Sequence, residues 1–490
     1  MGLKLYSQQK QEMKLALKSL ITRTALSSFI ILCSCTKNPI EETKNSFRFN
    51  LPREIHSLDP LLLRGTAKRF VLFNLHRGLF YYNKDNELTH HGAKDCEWIT
   101  SLKLQCSLND KKWSDGIPIT AEHYLHTYKL IKKEKEESGE FLTNIKNLEV
   151  LKGDLVFTLK KENSKFKHEL THVYFSPRKE KVLYQEPLNQ VFSGPYKVKR
   201  LDQSKIMLVN NEHYNSFKRP PITGVFIDDP NAALNMYSVE GLDFLRYLET
   251  SNIPKYPNRY MAPFARLDGI FFNPDHIKDE NLRKALFFSL NYKGLQKIFH
   301  TPSRPGCISL PDFFFSEPIP CYEQNIEKAK EYLKKVTDLP KRIRLYIPSV
   351  SSNEHQKLAL WAREGWKKNL GLNIKIEQIE TGVFYESVRL NKFSIYRKSV
   401  SLKNLSCFDA IETVKTQPEF KNHKINSQLN CTEFFKDVLS QYIWLPLGLP
   451  SFAHLHSKNY SGYYINMLGQ FGLERLKKNK KKTTRVSYNG

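Results

Sequence analysis

Eight cysteines and a few histidine, arginine and lysine positions are the residues of this 490-residue chain best able to do chemistry. Cys33 and Cys35 close an apolar run near the start, while Cys96, Cys106, Cys307, Cys321, Cys407 and Cys431 fall into three local pairs. An even number in pairs suits the disulfides of an oxidising compartment. Sequence alone leaves the connectivity open. Because short loops are the easiest to close, the expected pairing joins neighbours: Cys96 with Cys106, Cys307 with Cys321, Cys407 with Cys431. Free buried thiols are the alternative. No CxxC spacing occurs, so a zinc reading is weak. His90-His91 and His123-x-x-His126 have no carboxylate or thiolate to complete a recognisable ligand set, and core or exposed histidines are commoner; no metal and no other cofactor is expected. Gly-x-Ser-x-Gly, P-loop and His-Glu-x-x-His strings are absent. The residues offer cross-linking and recognition, not catalysis.

The segment that carries the first two cysteines reads as an export signal. Lys14, Lys18 and Arg23 precede the apolar run Ala25 to Ser34, an n-region followed by an h-region. As a helix that run would span only ~15 Å, too short to cross a bilayer. Its end, Leu32-Cys33-Ser34-Cys35, resembles the lipobox of bacterial lipoproteins and implies cleavage after Ser34 with lipidation of Cys35. A buried N-terminal helix is the alternative, and either Met1 or Met13 can be the start. The formal charge is +26, and removing five cations and Glu12 with residues 1–34 leaves +22. An exported basic chain seldom meets a chromosome, so nucleic acid loses weight as a partner and a membrane-facing role gains.

The elements that must position the remaining chemistry alternate between helix and strand. The chain is long enough for two or three lobes, and at 40% hydrophobic and 12% aromatic residues it has material for large cores. A helix opens at Thr120, with Tyr124, Leu125, Tyr128 and Ile131 at helical spacing. Acids and bases then crowd Lys132 to Glu140, a solvated helix end. Leu155, Phe157 and Leu159 alternate as a strand. A second helix runs from about Asp279, and a third covers His355 to Leu370, stops at Gly371 and leads into Leu372, Ile374 and Ile376 at period two. No internal repeat or long linker is visible. The tail Lys477 to Arg485 reads as solvated and disordered, or else as a lipid-contacting arm.

The string Lys112-Trp113-Ser114-Asp115-Gly116-Ile117-Pro118-Ile119-Thr120-Ala121-Glu122 resembles the signature of the bacterial extracellular solute-binding proteins of the oligopeptide and dipeptide class. Physically it is a tight turn at Asp115-Gly116, a strand stop at Pro118 and a helix start at Thr120, with Trp113 demanding a pocket. Ser57-Leu58-Asp59-Pro60, Asn74 to Phe80, Ser193-Gly194-Pro195-Tyr196, Asn231 to Asp243, Phe272-Asn273 with Leu282 to Leu286, and Trp366 to Gly371 are similar to further family segments and follow in the family's order. The likeness covers about residues 46–476.

The resemblance implies an α/β, periplasmic-binding-protein-like fold of class II, cluster C type: two hinged lobes plus an accessory domain. The implied division is 1–34 signal; 35–45 linker after the lipidated Cys35; 46–78, 188–266 and 441–476 first lobe; 79–187 accessory domain; 267–440 second lobe; 477–490 basic tail. It also implies a monomer that is not an enzyme. Lipid-anchored in the periplasm or on the outer face of the cytoplasmic membrane, it would capture a peptide or peptide-like guest and deliver it to the permease of an ABC importer. A surface lipoprotein that kept the fold and lost transport, serving as an adhesin or structural protein, is the competing expectation.

In such proteins a peptide lies in the cleft as though added to a sheet. Phe393 to Lys403 is similar to the family's cleft strand, which carries Arg, then Gly-Trp, then an Asp for the peptide's amino end. Arg397 falls on the Arg, Val400 on the Trp and Lys403 on the Asp, a charge reversal that disfavours a free amine there. Either Asp409 takes over, or the guest offers an acid or a blocked end. Arg397 and His355 match positions that meet the peptide carboxylate in some members. The expected ligand-binding set is therefore Arg397, His355, Lys403, Ser401 and Val400, with interlobe ion pairs as the bland alternative. Between Ala410 and Tyr442 no helix of the usual kind is recognisable, so one wall of the cleft is expected to differ. Family relatives that bind other molecules leave a non-peptide guest open.

Overall fold

Strands gather into three main sheets, and the register of one of them builds the cleft. The computed structural model describes residues 45–52, 57–62, 66–133, 143–179, 190–299, 304–349, 353–421 and 430–480. The proposed signal, Cys35, and the tail beyond residue 480 lie outside the described residues, as do residues 134–142 after the first predicted helix. Residues 47–490 form one unit that holds all the sheets; of residues 1–46 only 45 and 46 are described.

The first sheet has seven strands in the order Tyr260–Pro263, Ser451–His456, Phe244–Leu245, Phe47–Leu51, Ile222–Phe226, Lys205–Asn210, Tyr196–Leu201. Phe47, Phe49 and Leu51 share one face of their strand and are all buried, and Asn50 on the other face is buried as well. The helix Thr66–Leu75 covers one side with Phe70, Val71 and Leu75.

The second sheet has five strands in the order Lys375–Glu380, Arg344–Ser349, Ile395–Ser401, Arg266–Phe272, Trp444–Pro446. One face packs Ile270, Phe272, Leu345 and Ile395 under the helices Glu280–Phe288 and Glu354–Leu370. The other packs Leu267, Phe271, Tyr396 and Trp444 against Thr381–Arg389, Cys407–Lys415 and Cys431–Ser440. The second predicted helix is capped as its sequence suggests: the Asp279 side chain accepts from the Asn281 N–H. The third ends at Gly371 in the left-handed region at φ 72°. Its following strand starts three residues later than expected, at Lys375.

A four-stranded antiparallel sheet, in the order Ala93–Thr100, Lys103–Leu108, Asp154–Leu159, Ile145–Leu151, packs with the helix Ala121–Lys133 around Trp113, Tyr124 and Phe157. Trp113 is fully buried. Gly116, at φ 87°, lets its N–H reach the Trp113 carbonyl at 2.9 Å, and the Asp115 carboxylate takes the Ile117 N–H, so the signature string is a tight turn that seats the tryptophan. His91 stacks on Tyr214 and His123 packs edge-on to Trp113, which makes both packing residues.

Three disulfides join Cys96 to Cys106, Cys307 to Cys321 and Cys407 to Cys431. The first ties directly opposed positions of the hairpin. The third links the first residues of two helices, Cys407–Lys415 and Cys431–Ser440, that the sequence reading did not recognise. Each has a side-chain cap: Ser406 accepts from the Asp409 N–H, and Asn430 from the Glu433 N–H. They escaped notice because each is only nine or ten residues long and the segment between them breaks any continuous helical period.

Two boundaries also move. Trp444–Pro446 pairs with Arg266–Phe272, so it extends the second sheet although it falls in the stretch assigned to the first lobe. Lys477–Lys478, expected to open the solvated tail, pairs with Tyr460–Ser461. The chain passes between the two large sheets twice, at residues 264–265 and 447–450, and the crossings touch: the Phe264 N–H donates to the Pro450 carbonyl at 2.9 Å.

Candidate functional site: the cleft between the two large sheets

The strand Ile395–Ser401 divides its side chains between two faces, and antiparallel register extends that division to its neighbour Arg266–Phe272. Ser401 lies opposite Arg266, Ser399 opposite Asp268 and Arg397 opposite Ile270. One face therefore changes along its length from Ile270, Phe272 and Ile395 in the core to Arg397, Asp268, Ser399, Arg266 and Ser401 at the cleft. The other face carries Tyr396, Lys398 and Val400.

Where the face leaves the core it carries a buried charge cluster. Asp268 lies between two guanidinium groups, with Arg397 Nη2 2.5 Å from Oδ1 and Arg266 against Oδ2. Burial alone would raise the Asp268 carboxyl's pKa, but the two arginines outweigh it and hold it below the usual carboxylate range. Arg397 also donates to the Lys398 carbonyl at 2.6 Å. The gap beside Arg397 and Glu354 is about 60 Å³, room for roughly two waters at ~30 Å³ each. Arg397 is thus paired with Asp268 and lines this gap, not the larger cavity. His355 sits at the start of the helix Glu354–Leu370; burial, and secondarily Arg397, push its pKa down to about 3, so it is neutral at pH 7.

Beyond this cluster opens a cavity of about 400 Å³ with walls from both sheets. The second sheet contributes Arg266, Ser399 and Ser401, and the adjoining helix adds Tyr385. Arg246, Tyr247, Phe264, Phe452 and His454 come from the strands of the first sheet or directly after them, and Phe70 from its helix. Asn50 fixes Arg246 by accepting its backbone N–H at 2.7 Å, and the Arg246 guanidinium lies 4.8 Å from the centre of the Phe70 ring. Burial lowers the Arg246 pKa to about 10, so it remains a cation at neutral pH. His454, hydrogen-bonded to the Arg246 backbone, is pushed to about 3 mainly by burial. At one side the sheets touch: Tyr247 Oη donates to Glu354 at 2.7 Å, and Lys357 Nζ to Thr250 at 3.1 Å. Two more open depressions, about 590 and 560 Å³, are lined only by residues 288–442 and 291–369 respectively. Neither takes walls from both sheets, so closure of one sheet on the other would not enclose a guest there.

Of the five expected ligand contacts, the structure brings Ser401 to this cavity. Arg397 and His355 stand beside it in the charge cluster. Val400 is on the opposite face, packed toward the core of Phe271 and Tyr396, because one residue along a strand reverses the side chain. Lys403 lies past the strand end, where its charge acts on Glu169 and Asp409. Asp409, the substitute anchor, is buried and accepts the backbone N–H groups of Lys403 and Asn404 at 2.7 and 3.1 Å. It is a local cap and not part of the cavity wall. The reading of the sequence missed Arg246, Arg266, Ser399 and His454. Ser399 was accessible from alternation with Arg397 and Ser401; the others belong to strands far away in sequence and carried no signal.

The comparisons with known proteins agree with this architecture. The family model for bacterial extracellular solute-binding proteins, family 5, matches residues 100–417. The chain is 26% identical over 408 residues to the oligopeptide-binding protein OppA of Bacillus subtilis (strain 168), covering 72% of this chain and 74% of that one. It is 23% identical over 396 residues to the periplasmic murein peptide-binding protein MppA of Escherichia coli (strain K12), covering 70% and 72%. The solved structure of the Escherichia coli murein tripeptide binding protein MppA superposes with a TM-score of 0.73 at 20% identity, over 89% of this chain and 99% of that one. Among the described residues no helix is long and apolar enough to cross a membrane. Two mixed sheets linked by a double crossing form a cavity with walls from both, a place to hold a solute, and the chain belongs to the bacterial extracellular solute-binding proteins, family 5.

Proposed function

We propose that this chain is the lipid-anchored binding component of an ABC importer, tethered through Cys35, which captures a peptide or related small anionic guest and hands it to a permease. The carrying observation is the cavity of about 400 Å³ that takes walls from both large sheets. A guest there touches both, so its binding energy favours the closed arrangement, and closure is the signal a permease can recognise. The paired crossings at 264–265 and 447–450 are the natural hinge, with Gly448 at φ 91° beside Pro446 and Pro450. On this reading the first lobe ends at the first crossing and resumes after the second, and residues 79–187 form the accessory domain.

The cavity lies toward the low end of the roughly 300–1,000 Å³ of small-ligand sites, which favours a short guest. The test is native mass spectrometry of the gently purified chain, followed by small-angle scattering with and without the released guest. A small molecule that leaves on denaturation and shrinks the particle on return is expected. A chain that binds nothing in a peptide library and keeps one radius would overturn the reading and point to a surface lipoprotein that has lost transport.

A further inference from the structure

Rings and small residues share the wall of the cavity. Phe70, Tyr247, Phe264 and Phe452 come with the first sheet, and Tyr385 with the helix beside the second. Tyr247 meets Phe452 at 6.0 Å between ring centres and Phe452 meets Phe264 at 5.7 Å, both edge-on, so three rings make one continuous aromatic surface. The Tyr247 ring is fixed further by its hydroxyl, which donates to Glu354. Ala262, Ser399, Ser401 and Gly469 leave the space between the walls open. Gly469 is required there, because a Cβ would come within 2.4 Å of the Phe264 ring. A dry cavity of about 150 Å³ takes one benzene. At about 400 Å³ this one takes a six-membered ring and a short stretch of backbone.

The charged groups here serve each other. Arg266 pairs with Asp268, and its guanidinium lies 5.1 Å from the centre of the Phe452 ring. Arg397 and Glu354 stand beside that pair, so two acids answer two arginines. Arg246 lies over Phe70 and is held by a further interaction within the protein. His454 is neutral at pH 7. An ammonium entering the cavity would come up against the two arginines of its wall, and a carboxylate would have to displace the partners they hold. An uncharged ring meets neither obstacle, and it gains edge-on and offset contacts that an aliphatic group of the same size does not. Resting on the solute-binding reading, we propose that the preferred guest is a short peptide with an aromatic side chain, and that Tyr385 closes over that ring opposite the Tyr247–Phe452 surface. Tyr385 suits this role because it is 44% exposed while Phe70 and Phe264 are buried, so a ring laid on it removes apolar surface from water.

The experiment is calorimetric titration of the full mature chain with Ala-Ala-Ala and with the three tripeptides in which one alanine of it is replaced by phenylalanine. At one position the phenylalanine peptide should bind at least roughly tenfold more tightly than Ala-Ala-Ala, the lower end for burying a side chain of that size. Exchanging that phenylalanine for cyclohexylalanine, which has the bulk without the ring electrons, should weaken binding about two- to tenfold. Tyr385→Leu should reduce the phenylalanine-to-alanine ratio by a similar factor, and Tyr385→Phe should keep it, which separates loss of the ring from a folding defect. A gain below tenfold at every position, a cyclohexyl peptide that binds as well as the phenylalanine one, or a ratio unchanged in Tyr385→Leu overturns the proposal and leaves the solute-binding reading standing. If no peptide of two to five residues binds, whatever its charge or composition, the solute-binding reading itself fails.

Discussion

Replacing Asp268 by asparagine is the perturbation with the most decisive outcome. The side chain keeps its size but loses the charge that sits between Arg266 and Arg397, both of which then face each other across a buried face of the second sheet. Removing one partner of a buried ion pair typically costs 3–5 kcal/mol, because the group left behind is an uncompensated buried charge. For a lobe of this size each kcal/mol lowers Tm by about 2–4 °C, so a drop on the order of 10 °C is expected. Arg397→Met is the control. It leaves Asp268 paired with Arg266, one acid to one base, and should cost only about 1–2 kcal/mol. The expected order rests on Asp268 serving two arginines while Arg397 serves one aspartate, with Glu354 a smaller influence on Arg397. Acid adds a second readout. Asp268 titrates below its unfolded value, so its contribution is complete above about pH 4 and is lost as pH falls through the lower folded value. Asp268→Asn should flatten the stability curve in that window. Thermal melting of the three proteins from pH 3 to pH 7 decides the matter. If Arg397→Met proves as damaging as Asp268→Asn, the reasoning is wrong.

The third disulfide closes a loop of 24 residues in sequence, so replacing Cys407 and Cys431 by serine should cost about 3.5 kcal/mol by loop entropy, measured by urea unfolding. Thiol titration of the denatured, unreduced chain beginning after Cys35 should find no free sulfhydryl. Buried neutral histidines make the fold acid-sensitive: burial holds His76 at about 4 and His454 at about 3, whereas the unfolded chain binds those protons near pH 6.5. Stability should be complete above pH 6.5 and fall at roughly 1.4 kcal/mol per pH unit for each as pH drops toward 4, and a flat urea midpoint from pH 6.5 to 4.5 would contradict this. Ser401→Phe adds a ring to the cavity at a half-buried position, so guest binding should fall at least tenfold while the melting temperature moves by no more than about 2 °C.

Much of the framework was legible because it rests on local signals. The Asp279 cap, the Gly371 stop and the Asp115-Gly116 turn each state their conformation in two or three adjacent residues. The order of similar segments then pointed to the family. The site was less legible, for a physical reason. Arg397 was identified, but its role depends on Asp268, and only strand register brings those two together. Val400 was assigned by similarity to a position of the family's cleft strand, yet alternation with Ser399 and Ser401 sends it toward the core. Arg246 stands out only once the Phe244–Leu245 strand is placed beside Phe47–Leu51 and the residue is seen to line the cavity. Contacts between segments hundreds of residues apart leave no local trace.

Behind the cleft wall, Lys398 is sunk into the far side of the same strand. Its Nζ reaches Glu419 at 2.7 Å and Gln417 at 3.0 Å, and Tyr396 Oη donates to the other Glu419 oxygen at 2.7 Å. A slip of the strand by one residue would drag that ammonium into the open cavity and drive a serine into hydrocarbon, so the strand is nailed in place from the rear. Ser399 and Ser401 on its front can therefore be exchanged during evolution without loosening the frame that displays them. A lineage with such a strand can change its diet by editing alternate letters of one short word.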